Sequence, residues 1–445
     1  MVMETIEVRY KGEKAAAISF EAGAAAGQFE YFPEFIKKKI PLAPLTMPVA
    51  SSRIYQFPGL DKDTFKGLPG LVADSLPDSF GNAILDQWLA KQVNRTHGIT
   101  PLERLKYTGS RGMGALEYFP SRRVKGFNAS HDIELETLTK VAQSVLDERS
   151  GFEKDVSFDE VHEDKEMVEA LLAVGTSAGG ARPKAVLAFN ENFTQVRSGQ
   201  TEAPKGFSHY LLKFDGVTER DRSQQSFGDP QGYGVMEYVY HLMALEAGIH
   251  MEPCKLLPEG QRRHFVTKRF DRVNGNEKRH IQTLTAISHV NYNQPGAFSY
   301  EQVFKVAREL GLPKEDAIQI FKRMVFNHVA RNNDDHSKNT AFMLVDDKHW
   351  RVTPAYDVAF SYAAGNPWVE QHWMAMNGKR KEHSRKDIYA VADLCLPKIK
   401  RAEIDEIIDS VIDAVSLWDK LSQDYEVPAP LRKSISKLLL TEDFK

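Results

Sequence analysis

The sequence predicts an α+β protein in which strand-forming and helix-forming segments are unevenly spread along the chain. Three observations carry this. Up to about Phe119, short strand patterns are mixed with helical ones. A second group of strand-like runs lies between Ala185 and Phe214. After residue 295 the pattern becomes mainly helical. The 445 residues suffice for two or three domains or lobes, and 42% hydrophobic with 27% charged residues is ordinary globular composition.

Thr5-Ile6-Glu7-Val8-Arg9-Tyr10 alternates polar and apolar side chains, as a half-buried strand does. Asp74-Ser75-Leu76-Pro77-Asp78-Ser79 reads as a loop, and Ile84 to Val93 as a helix. Gly112 to Phe119 returns to strand character. Residues 120–165 are more polar, carry a helix near Leu135 to Leu146, and mark a subdomain boundary. Ala185 to Phe189 and His209 to Phe214 are strand-like. Val217 to Gly232 lacks periodicity and predicts a loop, and Gly234 to Met243 is helical. Ser299 with Gln302 forms a capping-box pattern ahead of Val303, Val306, Ala307 and Leu310. Pro313 opens a second helix with Ala317, Ile318, Phe321, Met324 and Val325 on one face. Thr340 to Val345 and His349 to Thr353, separated by Asp346-Asp347-Lys348, predict a hairpin. The stripe Ile404, Ile407, Ile408, Val411, Val415 and Trp418 reads as core packing.

A formal net charge of −3 excludes a global attraction to nucleic acid. The basic clusters Arg122-Arg123-Val124-Lys125 and Gly378-Lys379-Arg380-Lys381 read as solvated surface. Cys254 and Cys395 are the only cysteines, so neither a disulfide framework nor a cysteine-based zinc site is expected, which fits a reducing cytoplasm. Glu13 and Glu21 interrupt the alanine-rich N-terminal stretch, so no signal peptide is expected. No apolar run reaches the ~18 residues of a membrane span.

Chemistry concentrates in Asn333-Asp334-Asp335-His336-Ser337-Lys338-Asn339 and in Tyr356-Asp357. Asp334 and Asn339 have the spacing of a phosphotransfer loop in which an Asp takes the acceptor's hydroxyl proton and an Asn holds magnesium. Folding the hairpin back brings Asn339 beside Asp357, two oxygen ligands of the kind magnesium on nucleotide phosphates requires. Such clusters also satisfy local backbone groups in ordinary loops. Upstream, Gly175-Thr176-Ser177-Ala178-Gly179-Gly180-Ala181-Arg182-Pro183-Lys184 could wrap phosphates with backbone N–H groups or could be a tight turn. Lys213 stands among apolar residues, where a lysine is costly unless paired or used; Glu237 is its candidate partner. The order glycine loop, Lys, helix Glu, Asp-x-x-x-x-Asn, Asp is that of protein kinases. Adjacent carboxylates in extended chain point opposite ways, so only one of Asp334 and Asp335 faces a substrate, and the spacing to Asn339 favours Asp334.

Ser177 to Lys184, His209 to Lys213, Lys268-Arg269-Phe270-Asp271-Arg272, Asn333 to Asn339 and Tyr356-Asp357-Val358 together resemble the HipA-type serine/threonine kinases, toxins of bacterial toxin–antitoxin systems. Leu68 to Asp78 resembles their N-terminal subdomain. The resemblance implies a protein-kinase-like two-lobed fold with an elaborated mixed N-lobe and an all-helical C-lobe. It divides the chain into an N-terminal subdomain (1–125), the rest of the N-lobe with the glycine loop (126–275) and the C-lobe with the catalytic and metal-binding loops (276–445). It implies ATP and Mg2+ as cofactors, Asp334 as catalytic base, and Asn339 and Asp357 as metal ligands. Ser177, Ala178, Gly179, Gly180, Lys184, Lys213, Glu237, His336 and Lys338 fall to the nucleotide site. Lys268, Arg269 and Phe270 would link the lobes, with adenine bonded to their backbone. Autophosphorylation of Ser177 would eject the glycine loop. The implied partners are a protein substrate such as an aminoacyl-tRNA synthetase and a HipB-like helix-turn-helix antitoxin, which mediates contact with operator DNA. A small-molecule phosphotransferase and a co-repressor acting through an antitoxin–DNA complex remain as alternatives.

Overall fold

A computed structural model of the chain describes residues 3–77 apart from 22, 51 and 52, then 82, 85, 99–121, 136, 138–140, 142, 143, 183–218 and 228–445. The glycine-rich stretch up to Arg182 lies outside these residues, as do all but a few positions of the helices expected at Ile84 to Val93 and Leu135 to Leu146. The chain forms two compact units, each from separate stretches. The first comprises Met1–Phe35, Ser75–Gly234 and Pro253–Arg279; the second comprises Ile36–Asp74, Val235–Glu252 and His280–Lys445.

In the first unit, alternation builds the first sheet. Strands β1 (Met3–Tyr10), β2 (Glu13–Glu21), β3 (Gln28–Tyr31) and β4 (Leu116–Phe119) run antiparallel in the order β3-β2-β1-β4. Ile6, Val8 and Tyr10 all point into the core, as their period of two requires. Helix α1 (Pro101–Thr108) packs on β4 and β1 and starts at a capping box between Thr100 and Glu103. A second sheet contains β5 (Lys184–Asn190), β6 (Val196–Ser198), β7 (Phe207–Lys213), β8 (Cys254–Glu259) and β9 (Arg262–Lys268), in the order β8-β9-β7-β5-β6. Every residue from Lys184 to Phe189 is buried, so β5 is covered on both faces.

A charged knot closes this unit. The Asp271 carboxylate accepts from Arg269 Nε and Nη2 (2.8 and 2.7 Å), Arg272 Nη1 (2.7 Å) and the Gly114 N–H (2.8 Å). All three charged side chains are buried. Burial alone would raise the Asp271 carboxyl, but the two guanidiniums overcome it and hold the group well below the usual carboxylate range.

The second unit is not all-helical, contrary to the expectation for the C-lobe. It contains a three-stranded antiparallel sheet of β10 (His280–Thr283), β11 (Ala341–Val345) and β12 (His349–Val352), in the order β10-β11-β12. The expected hairpin forms, and in its three-residue connection Asp346 and Asp347 have φ of 47° and 59°, the left-handed conformation that tight hairpin turns use. An isolated hairpin is marginal in water; pairing with β10 supplies the third strand.

The helices of this unit include α2 (Tyr233–Glu246), α3 (Leu284–Ser288), α4 (Tyr300–Glu309), α5 (Lys314–Val329), α6 (Arg385–Cys395) and α7 (Arg401–Ser416), with only the first two residues of α2 belonging to the first unit; α3 and α5 pack on the sheet. The Ser299/Gln302 capping box before α4 is present in both directions. The stripe from Ile404 to Val415 on α7 is buried, and α7 packs on α5. Ile36–Asp74, inside the stretch expected as 1–125, packs with this unit. Trp350 Nε1 donates to Pro41 O (3.1 Å), and Gly70 lies so close to α3 that an added Cβ would stand 2.3 Å from Ala286 O.

Candidate active site

The loop after α5 fixes its own register by hydrogen bonding. The Asn339 side chain donates through Nδ2 to the Asp334 carbonyl (2.7 Å), and the Asn339 N–H donates to His336 O (2.8 Å). That ties residues 334–339 into a closed turn ending in the 3-10 turn Ser337–Asn339, directly before β11. With Nδ2 committed, Asn339 Oδ1 is the atom left to face a cation. Asn339 lines one cavity together with Asp357, Tyr356, Thr340 and Asn332. Asp357 sits at the exit of the β12 segment with φ of 51°. The buried Tyr356 hydroxyl donates to Lys338 O (2.6 Å), pinning the start of β11 to the Asp357 segment. An oxygen-only pair of this kind suits a hard divalent cation.

The two adjacent aspartates have separate fates. Asp335 is 2% exposed and accepts from the Tyr300 hydroxyl (2.7 Å), His372 Nδ1 (3.1 Å), and the N–H groups of Trp373 (2.7 Å) and Met374 (3.3 Å). Its role is to hold the loop to α4 and to the 372–374 segment. The Asp334 side chain is 41% exposed, with Oδ1 at 3.7 Å from His336 Nε2. His336 itself lies edge-on to Tyr292 and Trp373, and the Lys338 ammonium sits 4.3 Å over the Tyr292 ring.

Asp74 is a further member of this neighbourhood. Its carboxylate accepts from the Thr283 N–H (2.7 Å) and hydroxyl (2.8 Å). Burial raises its pKa, while the positive charge of Lys338 and the Thr283 bonds work against that rise. Asp74 lies in the Leu68 to Asp78 stretch, but nothing in its local sequence points to a partner 209 residues away. Tyr300 is equally silent: it lies inside the Ser299/Gln302 capping box, and only the fold turns its hydroxyl to Asp335.

In the first unit, Lys213 is buried at the end of β7, and its ammonium lies 5.7 Å from the Phe265 ring centroid. Lys184, the first residue of β5, is its cross-strand partner and is also buried. The two lysines therefore stand together where the chain emerges from the glycine-rich stretch. Ser177, Ala178, Gly179 and Gly180 lie outside the described residues. Glu237 is buried on α2, in the second unit.

The segment expected to meet adenine has two of its amides committed within the first unit. The Lys268 N–H donates to Pro253 O (3.0 Å) and the Arg269 N–H to His209 O (2.9 Å). The Arg269 guanidinium is forked onto Asp271. Neither residue thus has an amide donor to offer a base, and Arg269 is part of the buried knot.

Residues 176–418 match the family described as HipA-like C-terminal domain, and residues 6–119 match the HipA N-terminal domain. This chain belongs to the HipA family. The HipA of Shewanella oneidensis MR-1, solved in a toxin–antitoxin complex with HipB and its operator DNA, superposes with a TM-score of 0.66 at 15% identity, covering 99% of this chain and 97% of that one. At that identity the likeness concerns the HipA fold. A Haemophilus influenzae protein described as a putative kinase is 29% identical over 101 residues, 21% of this chain and 29% of its own length. The chain thus matches under a third of that relative. Among the described residues, no helix is long and apolar enough to cross a membrane.

Proposed function

We propose that this HipA-family chain is an ATP- and Mg2+-dependent kinase that phosphorylates a serine or threonine hydroxyl on a protein, acting as the toxin of a toxin–antitoxin pair. The observation that carries this reading is the closed 334–339 turn. It holds Asn339 Oδ1 toward the cavity that Asp357 also lines, and it leaves the Asp334 carboxylate exposed while Asp335 is consumed by four donors.

In this reading Asp334 Oδ accepts the proton of the acceptor hydroxyl. Asn339 Oδ1 and Asp357 hold magnesium, which when bound neutralises charge on the transferring phosphates. Lys213, with Lys184 beside it, offers positive charge to the phosphates at the end of the glycine-rich stretch. Lys338 adds a cation in the second unit. The resemblance extends the reading to an aminoacyl-tRNA synthetase or similar translation component as substrate, to a helix-turn-helix antitoxin that carries the DNA contact, and to Ser177 as the site of self-phosphorylation.

The test is transfer from γ-labelled ATP to cell lysate, with mass-spectrometric identification of the labelled species. Wild type should label a protein with magnesium present and not with chelator. Asp334→Asn should abolish transfer while retaining ATP binding, and Asp357→Ala should lose both transfer and magnesium-dependent binding. Label appearing only on small molecules would replace the protein-kinase reading. Full transfer by Asp357→Ala would remove the metal assignment.

A further inference from the structure

Three histidines that phosphotransfer does not use converge in the second unit. His328 lies in the last turn of α5, His372 precedes the Trp373 and Met374 amides that serve Asp335, and His383 precedes Ser384, the N-cap of α6. One ring nitrogen from each lies within 4.8 Å of the others. The His328 and His372 centroids are 3.9 Å apart at an interplanar angle of 18°, and His383 meets His328 edge-on at 4.4 Å. His328 and His372 are buried, and His383 is half-buried.

The remaining nitrogen of each ring faces a group that can only accept. His328 Nδ1 donates to Met324 O (2.7 Å), His372 Nδ1 to the Asp335 carboxylate (3.1 Å), and His383 Nε2 to Lys379 O (3.0 Å). Those partners fix the tautomers, so in the neutral rings the lone pairs fall on His328 Nε2, His372 Nε2 and His383 Nδ1. His328 Nε2 is buried with no hydrogen-bond partner among the described residues. A buried bare lone pair costs free energy unless something meets it.

We propose that His328, His372 and His383 form a transition-metal site, with zinc as its ion. Three imidazoles whose outer nitrogens are held by carbonyls and a carboxylate constitute both a ligand set and its orienting shell. Reaching Zn–N distances of about 2.0–2.1 Å draws the nitrogens together and splays the His328/His372 stack. The half-buried His383, on a connecting segment, supplies the freedom to move. Charge at the site is mixed: the Asp335 and Asp387 carboxylates act on His383, while Arg380 brings its guanidinium to the His372 carbonyl (2.7 Å). A fourth position is left for water. The metal would pin the 372–383 segment to the end of α5 and so steady the donors that hold Asp335, the residue beside Asp334. The site is independent of the phosphotransfer reading.

The test uses the full-length chain, stripped with a chelator and titrated with Co2+ as a visible probe, then with Zn2+. One equivalent of cobalt should bind with the intense visible bands of low-coordinate cobalt, and zinc should bleach them. His383→Ala should weaken cobalt binding by at least about 100-fold, beyond the 10–100-fold typical of losing an orienting partner. The stripped variant should keep the wild-type circular dichroism spectrum, since His383 is the least buried of the three. His349→Ala, at an exposed histidine on the β11–β12 hairpin, should bind cobalt as wild type does. No cobalt bands in wild type, or unchanged bands in folded His383→Ala, would overturn the proposal.

Discussion

Replacing each of the two adjacent aspartates by alanine separates scaffold from chemistry. Asp335→Ala removes the acceptor of four buried or part-buried donors. The Trp373 N–H keeps a second acceptor, Asn333 O at 3.2 Å. The Tyr300 hydroxyl, the His372 Nδ1–H and the Met374 N–H do not. Each stranded donor costs ~1–3 kcal/mol, and because His372 can change tautomer the total falls near 3–5 kcal/mol rather than the full sum. At ~2–4 °C per kcal/mol for a unit of this size, the melting temperature of the second unit should drop by roughly 10 °C. Asp334→Ala removes a side chain 41% exposed, and the Asn339 bond to the 334 carbonyl is main-chain at that end and survives. Its loss of stability should be clearly smaller than that of Asp335→Ala. Thermal unfolding followed by circular dichroism at one pH compares the three proteins directly. If the two variants melt together, or Asp334→Ala is the less stable, the division of labour drawn from the geometry is wrong.

Gly70→Ala should destabilise the second unit by about 1–3 kcal/mol, because its Cβ would meet the Ala286 backbone carbonyl as well as the His289 ring; chemical denaturation reads this. Asp271→Asn should destabilise the first unit by several kcal/mol, leaving two buried guanidiniums short of their counter-charge. The folded pKa of Asp271 is lowered, so its contribution is fully present above the unfolded value of about 3.9 and lost as pH falls toward the folded one. The gap in melting temperature between wild type and Asp271→Asn should therefore be constant from neutral to mildly acid pH and narrow only below about pH 4. Incubation with Mg-ATP should add one phosphate to wild type and none to Ser177→Ala by intact mass; a phosphate mapped elsewhere would remove Ser177 as the switch.

What the sequence made legible was local. The Ser299/Gln302 box, the Asp346-Asp347 turn, and the burial stripe on α7 each depend on neighbours within a turn or two, and each is present. The opposite pointing of Asp334 and Asp335 is also a local consequence of extended chain, and their burial differs accordingly. What escaped was everything set by distant pairing. No pattern in His280–Thr283 announces that it will flank the expected hairpin some 60 residues later, so the third strand of that sheet went unread. The commitment of the Lys268 and Arg269 amides depends on Pro253 and His209, and only the sheet order reveals it.

The same reasoning explains why the site looks concentrated in sequence yet needs the whole second unit. In the proposed reading Asp334 and Asn339 act from a loop whose members Asn333, Asp335 and Ser337 are committed to the scaffold. Asp335 is held by α4 and the 372–374 segment, Ser337 meets the Thr285 hydroxyl at 2.6 Å, and Asn333 donates to the Val369 carbonyl (3.0 Å). One set, Asn333, Asp335 and Ser337, is thus fastened to the scaffold, with Asp335 lining the same cavity as Asn339; the presented set is Asn339 and the 41% exposed Asp334. A motif scan sees only the presented set. The fastened set fixes its geometry, and for residues such as Tyr300 and His372 that role is written only in three dimensions.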